Sequence, residues 1–188
     1  MKRRRRKSHK GTYAVLMIIA LVVIAAIVAY YVSSQGSQAP SPNKALLVTS
    51  MGNITIQLYD DMPITAGNFR NLVKQGLYDG TSFHRVSPNF VIQGGAIAGA
   101  STIQDELPNR HSNVRGTVAM AKTSQPNSAT SQFFINLKDN SGTLDSNYSV
   151  FGAVISGMDV VDAIGRLPID SSEKPLQEVT IIIAQLVN

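Results

Sequence analysis

The chain has 188 residues, no cysteine, no tryptophan and a formal net charge of +5. That length suits one domain with appendages, and the missing cysteine excludes disulfides, a cysteine-linked lipid and thiol catalysis. Seven of the 17 basic residues precede residue 11, so the rest holds 10 basic and 12 acidic residues and offers no basic face for nucleic acid.

Residues 1–11 form a basic tail carrying Lys2, Arg3, Arg4, Arg5, Arg6, Lys7 and Lys10. Nineteen uncharged residues follow from Ala14 to Val32, nearly all aliphatic, with Tyr30 and Tyr31 near the end. A helix of that length, at about 1.5 Å per residue, matches the hydrocarbon core of a bilayer. Residues 12–32 are expected to form one N-terminal transmembrane helix, a signal anchor in contact with lipid. The positive-inside rule then leaves the tail in the cytoplasm and the remainder outside the cell membrane. A cleavable signal peptide, giving a secreted product, is the competing reading. Its apolar region spans about 7–15 residues and ends in small residues. The run here is longer and offers only Ile27-Val28-Ala29 as a cleavage context, which favours the anchor.

Residues 33–44 are small, polar and proline-containing, the composition of a flexible linker. Residues 45–188 are numerous enough to bury roughly two-thirds of their unfolded surface without a staple. Ala45–Met51 and Asn53–Tyr59 predict a strand pair around Gly52, with Ile54, Ile56 and Leu58 alternating with polar residues. Pro63 suits the first turn of a helix, and Ile64, Phe69, Leu72 and Val73 carry its apolar stripe to Gly76. Short strands are expected at Ser82–Val86, Phe90–Gln93, Thr117–Ala121, Gln132–Leu137 and Val150–Ile155. A short helix over Met158–Ile164, stopped by Gly165, precedes a last strand at Val179–Val187. Seven or eight short strands with two helices and no βαβ rhythm predict a closed or nearly closed antiparallel barrel.

Two stretches carry the chemistry. The first is Ser82-Phe83-His84-Arg85-Val86-Ser87-Pro88-Asn89-Phe90-Val91-Ile92-Gln93-Gly94-Gly95, and the second is Ser131-Gln132-Phe133-Phe134-Ile135. They set one arginine among aromatic, aliphatic and amide side chains without a nucleophile or metal cluster. Such a surface suits twisting a peptide bond without breaking it. The chain has three histidines, His9 among them in the tail, and they have no zinc-ligand spacing. No Gly-x-Ser-x-Gly elbow accompanies His84, so a hydrolase triad is not supported. Strand alternation turns His84 away from Arg85, toward the barrel interior as a hydrogen-bonded core histidine.

The two stretches resemble the two halves of the pocket of the cyclophilins, which are peptidyl-prolyl cis-trans isomerases. Asn68-Phe69, Tyr78-Asp79-Gly80-Thr81, Asp105-Glu106, Arg115-Gly116-Thr117, Val150-Phe151-Gly152 and Gly157-Met158 extend the resemblance over residues 45–188. It implies a mainly β fold, a closed eight-stranded antiparallel β-barrel with two capping helices. It also implies proline-containing unfolded or extended polypeptides as substrates, no cofactor, no metal and a monomer. Catalysis falls to Arg85, Gln93 and Phe90, and substrate binding to Val91, Ala121, Lys122, Gln132, Phe134, Leu144 and Tyr148. Four positions depart from the family pattern. Val91 stands where methionine is frequent, Lys122 where asparagine is usual, and Tyr148 where many members have histidine. Thr143 takes the place of a pocket aromatic, which bears on cyclosporin binding more than on catalysis. With Lys122 and Thr143 read as decay, the barrel becomes a non-catalytic proline-peptide chaperone or scaffold. Retention of Arg85, Phe90, Gln93 and Phe134 weighs against that alternative, because a binder has no need of the arginine.

Overall fold

The computed structural model describes residues 21–30 and 42–188, which fall into separate units divided after Ser41. In the first unit, residues 21–30 form a helix (α1) whose side chains are exposed. They lie within the apolar run and cover about half the length that a bilayer requires. Among the described residues no helix is long and apolar enough to cross a membrane. The basic tail, most of the linker and the remainder of the expected anchor lie outside the described residues.

In the second unit eight strands form one sheet. They are β1 (Lys44–Thr49), β2 (Gly52–Leu58), β3 (Phe83–Ser87), β4 (Val91–Gly94), β5 (Thr117–Met120), β6 (Phe133–Asn136), β7 (Val150–Ser156) and β8 (Ile181–Val187). Their order is β3-β4-β6-β5-β7-β2-β1-β8, and each neighbouring pair is antiparallel. The expected closed barrel is not formed. The ends of the sheet meet just before β3 and β8, at an isolated bridge between Ser82 and Thr180, where Phe83 N–H donates to Val179 O at 2.9 Å, Gly80 N–H to Ile181 O at 2.8 Å and Ile181 N–H to Thr81 O at 2.7 Å. In an antiparallel bridge the residues after Ser82 face those before Thr180, so β3 and β8 lead away from it on opposite sides, share no ladder, and leave the sheet an open barrel.

Helix α2 (Thr65–Lys74) buries Phe69, Leu72 and Val73 of the predicted stripe together with Ala66, whereas Ile64 stands at the N-cap and is exposed. Its N-terminus is closed from a distance. The Glu106 carboxylate accepts the backbone N–H groups of Ile64 at 3.0 Å and Thr65 at 2.6 Å. A carboxylate there satisfies free donors and complements the helix dipole. Helix α4 (Met158–Gly165) matches the second predicted helix. A single turn, α3 (Ser141–Leu144), was not expected, because four residues carry no readable period.

The inner face of the sheet packs around one ring. Phe133 is fully buried and stands edge-on to Phe69, Tyr78 and Phe83 at centroid distances of 5.4, 5.7 and 5.9 Å. Gly95 is the motif glycine that permits this. It has φ +73°, and a Cβ there would lie 2.7 Å from both the Phe133 and Tyr78 rings. The Tyr78 hydroxyl donates to Ser131 O at 2.7 Å, and burial pushes that phenol well above its ordinary pKa. Replacing Phe133 with alanine should cost about 3–5 kcal/mol in denaturant unfolding, the range for emptying a buried aromatic site. A loss below about 1 kcal/mol would show that the cluster does not depend on this ring.

Candidate active site

The site lies on the opposite face of the same strands. Register pairs Arg85 (β3) with Gln93 (β4), Gln93 with Phe134 (β6), Phe134 with Ala119 (β5), and Ala119 with Val150 (β7). Side chains in such a row share a face. Phe134 follows Phe133 directly and therefore points outward, into a second apolar cluster with Val91, Ala119, Leu144 and Val150. Phe90, Ala121 and Tyr148 pack against that cluster, and the Tyr148 ring meets Phe134 edge-on at 5.5 Å.

These residues line a cavity of about 390 Å³. Its walls include all ten sequence-predicted positions: Arg85, Phe90, Val91, Gln93, Ala121, Lys122, Gln132, Phe134, Leu144 and Tyr148. Thr123, Ser128 and Thr130 complete one end and were not foreseen, since no motif marks them. Thr143 is exposed and is not among the lining residues, so Leu144 and Tyr148 form the wall on this side.

A buried amide network fixes the floor of the pocket. Phe90 sits in the β3–β4 turn, where its carbonyl accepts Leu137 N at 2.9 Å and Asn140 Nδ2 at 3.0 Å. Asn140 Nδ2 also donates to Asn136 Oδ1 at 2.8 Å, and Asn136 Nδ2 to Asn113 Oδ1 at 3.2 Å. Asn113 in turn donates to the Asp145 carboxylate through its backbone N–H at 2.7 Å and through Nδ2 at 2.9 Å. Burial pushes the Asp145 carboxyl up, but these donors outweigh it and the group lies below the ordinary carboxylate range. The network ties α3 and the Phe90 turn to the sheet.

The polar edge is also connected. Gln93 Oε1 lies 3.4 Å from Arg85 Nη1, and Gln93 Nε2 donates to Gln132 Oε1 at 2.9 Å. On the other side of Arg85, Glu173 Oε2 lies 2.7 Å from both Nε and Nη2, and Glu173 Oε1 accepts the Ser87 hydroxyl at 2.7 Å. The Ser87 bond, aided by Arg85, holds the Glu173 carboxyl below its ordinary pKa. The pairing is therefore present above the usual carboxylate range and is lost as pH falls through the lowered value. Glu173 was missed because it stands 88 positions from Arg85, in a loop without a motif. Lys122 Nζ pairs with Asp105 Oδ2 at 3.1 Å.

His84 departs from expectation. A register shift between Phe83 and Arg85 makes it a bulge residue. It is half-buried, and its buried Nδ1 has no protein partner. Among the described residues no group of three or more metal-ligating side chains comes together.

Comparison with known proteins gives the geometry a family. Residues 45–186 match the model of the cyclophilin type peptidyl-prolyl cis-trans isomerases. A peptidyl-prolyl cis-trans isomerase of Acinetobacter baylyi is 49% identical over 154 residues, covering 73% of this chain and 82% of that protein. Peptidyl-prolyl cis-trans isomerase B of Escherichia coli is 44% identical over 131 residues, covering 62% and 80%. A crystal structure of a cyclophilin type isomerase from Cryptosporidium parvum superposes with a TM-score of 0.72 at 28% identity, covering 78% of this chain and 98% of that one. A second structure of that protein, in the presence of the dipeptide Ala-Pro, gives a TM-score of 0.70 at 28% identity. The eight-stranded fold is thus shared with a cyclophilin-type isomerase of known structure, and by family match and identity the chain belongs to the cyclophilin-type peptidyl-prolyl cis-trans isomerases.

Proposed function

We propose that this isomerase accelerates X–Pro rotation in secreted or surface polypeptides, with Arg85 as the donor that favours the twisted bond and residues 12–32 as its membrane anchor. The observation that carries the catalytic part is the row of Arg85, Gln93 and Phe134 along the wall of one cavity. An X–Pro amide resists rotation by about 20 kcal/mol because twisting breaks its resonance. As conjugation is lost, the proline nitrogen regains a lone pair and becomes an acceptor. A guanidinium held beside it bonds the twisted state more strongly than the planar one, which is the condition for a faster step. Phe90, Val91, Phe134, Leu144 and Tyr148 enclose the proline ring, and Gln93 holds the substrate backbone through its amide. No bond is broken, so no nucleophile or cofactor is needed.

The anchor reading rests on the order of charge and hydropathy along the chain. Polypeptides leaving a translocase arrive unfolded, and proline isomerisation, at tens of seconds, is then a slow step. An isomerase held at that exit meets its substrates before they fold.

Three outcomes test these assignments. Arg85→Ala should keep the fold and lower kcat/KM by about one to two orders of magnitude, or about 1.4–2.8 kcal/mol of transition-state stabilisation. Full activity would remove the donor role, and intact peptide binding without turnover would separate grip from catalysis. Phe134→Ala should weaken peptide binding and turnover together, whereas unchanged affinity would return Phe134 to a purely structural role. Protease added to intact, wall-stripped cells should cut the linker and release the domain, since an exposed small-residue tether is readily cleaved. Mass spectrometry of the mature N-terminus decides the anchor: a start near Tyr30 would mean cleavage and a secreted enzyme.

A further inference from the structure

We propose that Glu173 is a positioning residue for Arg85, fixing the guanidinium edge-on so that Nη1 is left to face the pocket. The inference rests on the donor role given to Arg85 above. Strand β3 grips Glu173 through three consecutive residues. Oε2 occupies the fork between Arg85 Nε and Nη2, at 2.7 Å from each. The Glu173 carbonyl accepts Val86 N at 2.8 Å, and Oε1 accepts the Ser87 hydroxyl at 2.7 Å. Arg85 lines the cavity and Glu173 does not, so the carboxylate acts on the guanidinium from behind.

The backbone supplies an independent argument. Glu173 has φ +61°, a left-handed conformation disfavoured for a residue with a long side chain and suited to glycine or asparagine. The turn that imposes it is made by Asp170, whose Oδ1 accepts Ser172 N at 2.8 Å and Lys174 N at 3.0 Å. A residue serving the turn alone would be Gly or Asn. A glutamate held there against its backbone preference points to what its carboxylate does. An unrestrained arginine loses considerable rotamer freedom when it meets a substrate. With Nε and Nη2 already held, that loss is taken on folding, and the donor is in place before the amide twists.

The test uses the full-length chain with Glu173→Asn and Glu173→Gln, each alone and combined with Arg85→Ala, assayed on an Ala-Pro-containing tetrapeptide. Asparagine accepts the backbone conformation but is too short to reach the fork. It should lower kcat about tenfold with KM and Tm held. Glutamine keeps the reach and a neutral acceptor, and should stay within about threefold of the parent. In the Arg85→Ala background neither substitution should change activity further. Unchanged or raised kcat in Glu173→Asn overturns the proposal. So does an equal loss in the Arg85→Ala background, or a loss that follows a fall in Tm and is not rescued by glutamine. If Arg85→Ala alone is fully active, the donor reading and this inference fall together. If it is impaired while Glu173→Asn is not, only the inference falls.

Discussion

The structure depends on the two-residue period of β6. Phe133 and Phe134 are adjacent, both buried at 0% and 5% exposure, and they face opposite sides of one sheet. The first is the hub of the inner aromatic cluster, and the second is part of the pocket wall. A one-residue slip in register would exchange them. The wall and the core are therefore placed by the same backbone and the same register.

The pocket is not built by the sheet alone. Asn113, Asn136 and Asn140 are buried polar residues whose side chains connect the Phe90 turn to β6, α3 and Asp145. Buried amides are costly unless paired, and here each finds partners in the others. A paired network fixes geometry more firmly than apolar contact, because its bonds are directional. This explains how a turn and a single helical turn, weak elements by themselves, can form pocket walls.

Much of this was legible in the chain. Alternation in Ile54, Ile56 and Leu58 located β2, the stripe ending at Gly76 located α2, and the two motifs held six of the lining residues, Arg85, Phe90, Val91, Gln93, Gln132 and Phe134. Several of the features that remained hidden have one cause, the distance along the chain between partners. The open seam follows from where Ser82 and Thr180 meet, and strand counting says nothing of that. The Glu106 carboxylate at the N-terminus of α2 stands 42 and 41 positions from the groups it accepts. His84 lacks the full burial and the hydrogen bond expected of it for a local reason, the register shift at its position. Over residues 12–32 the reading goes further than the fold, because only residues 21–30 of that run are described.

The two charged side chains that line the pocket, Arg85 and Lys122, are both paired. Arg85 is held by Glu173, and Lys122 by Asp105, with side-chain exposures of only 9% and 13% for the second pair. A lysine where the family pattern has asparagine would, if free, set a positive charge in the groove and bias it toward acidic peptides. Pairing with Asp105 removes that bias. Asp105 is itself fixed: its N–H donates to Asn127 Oδ1 at 2.9 Å, and its Oδ2 accepts Asn127 N at 3.0 Å. The substitution thus exchanges an amide for an ion pair and leaves the groove without uncompensated charge among its described residues. What the groove then presents is the apolar wall of Phe90, Val91, Phe134, Leu144 and Tyr148 beside a single compensated guanidinium.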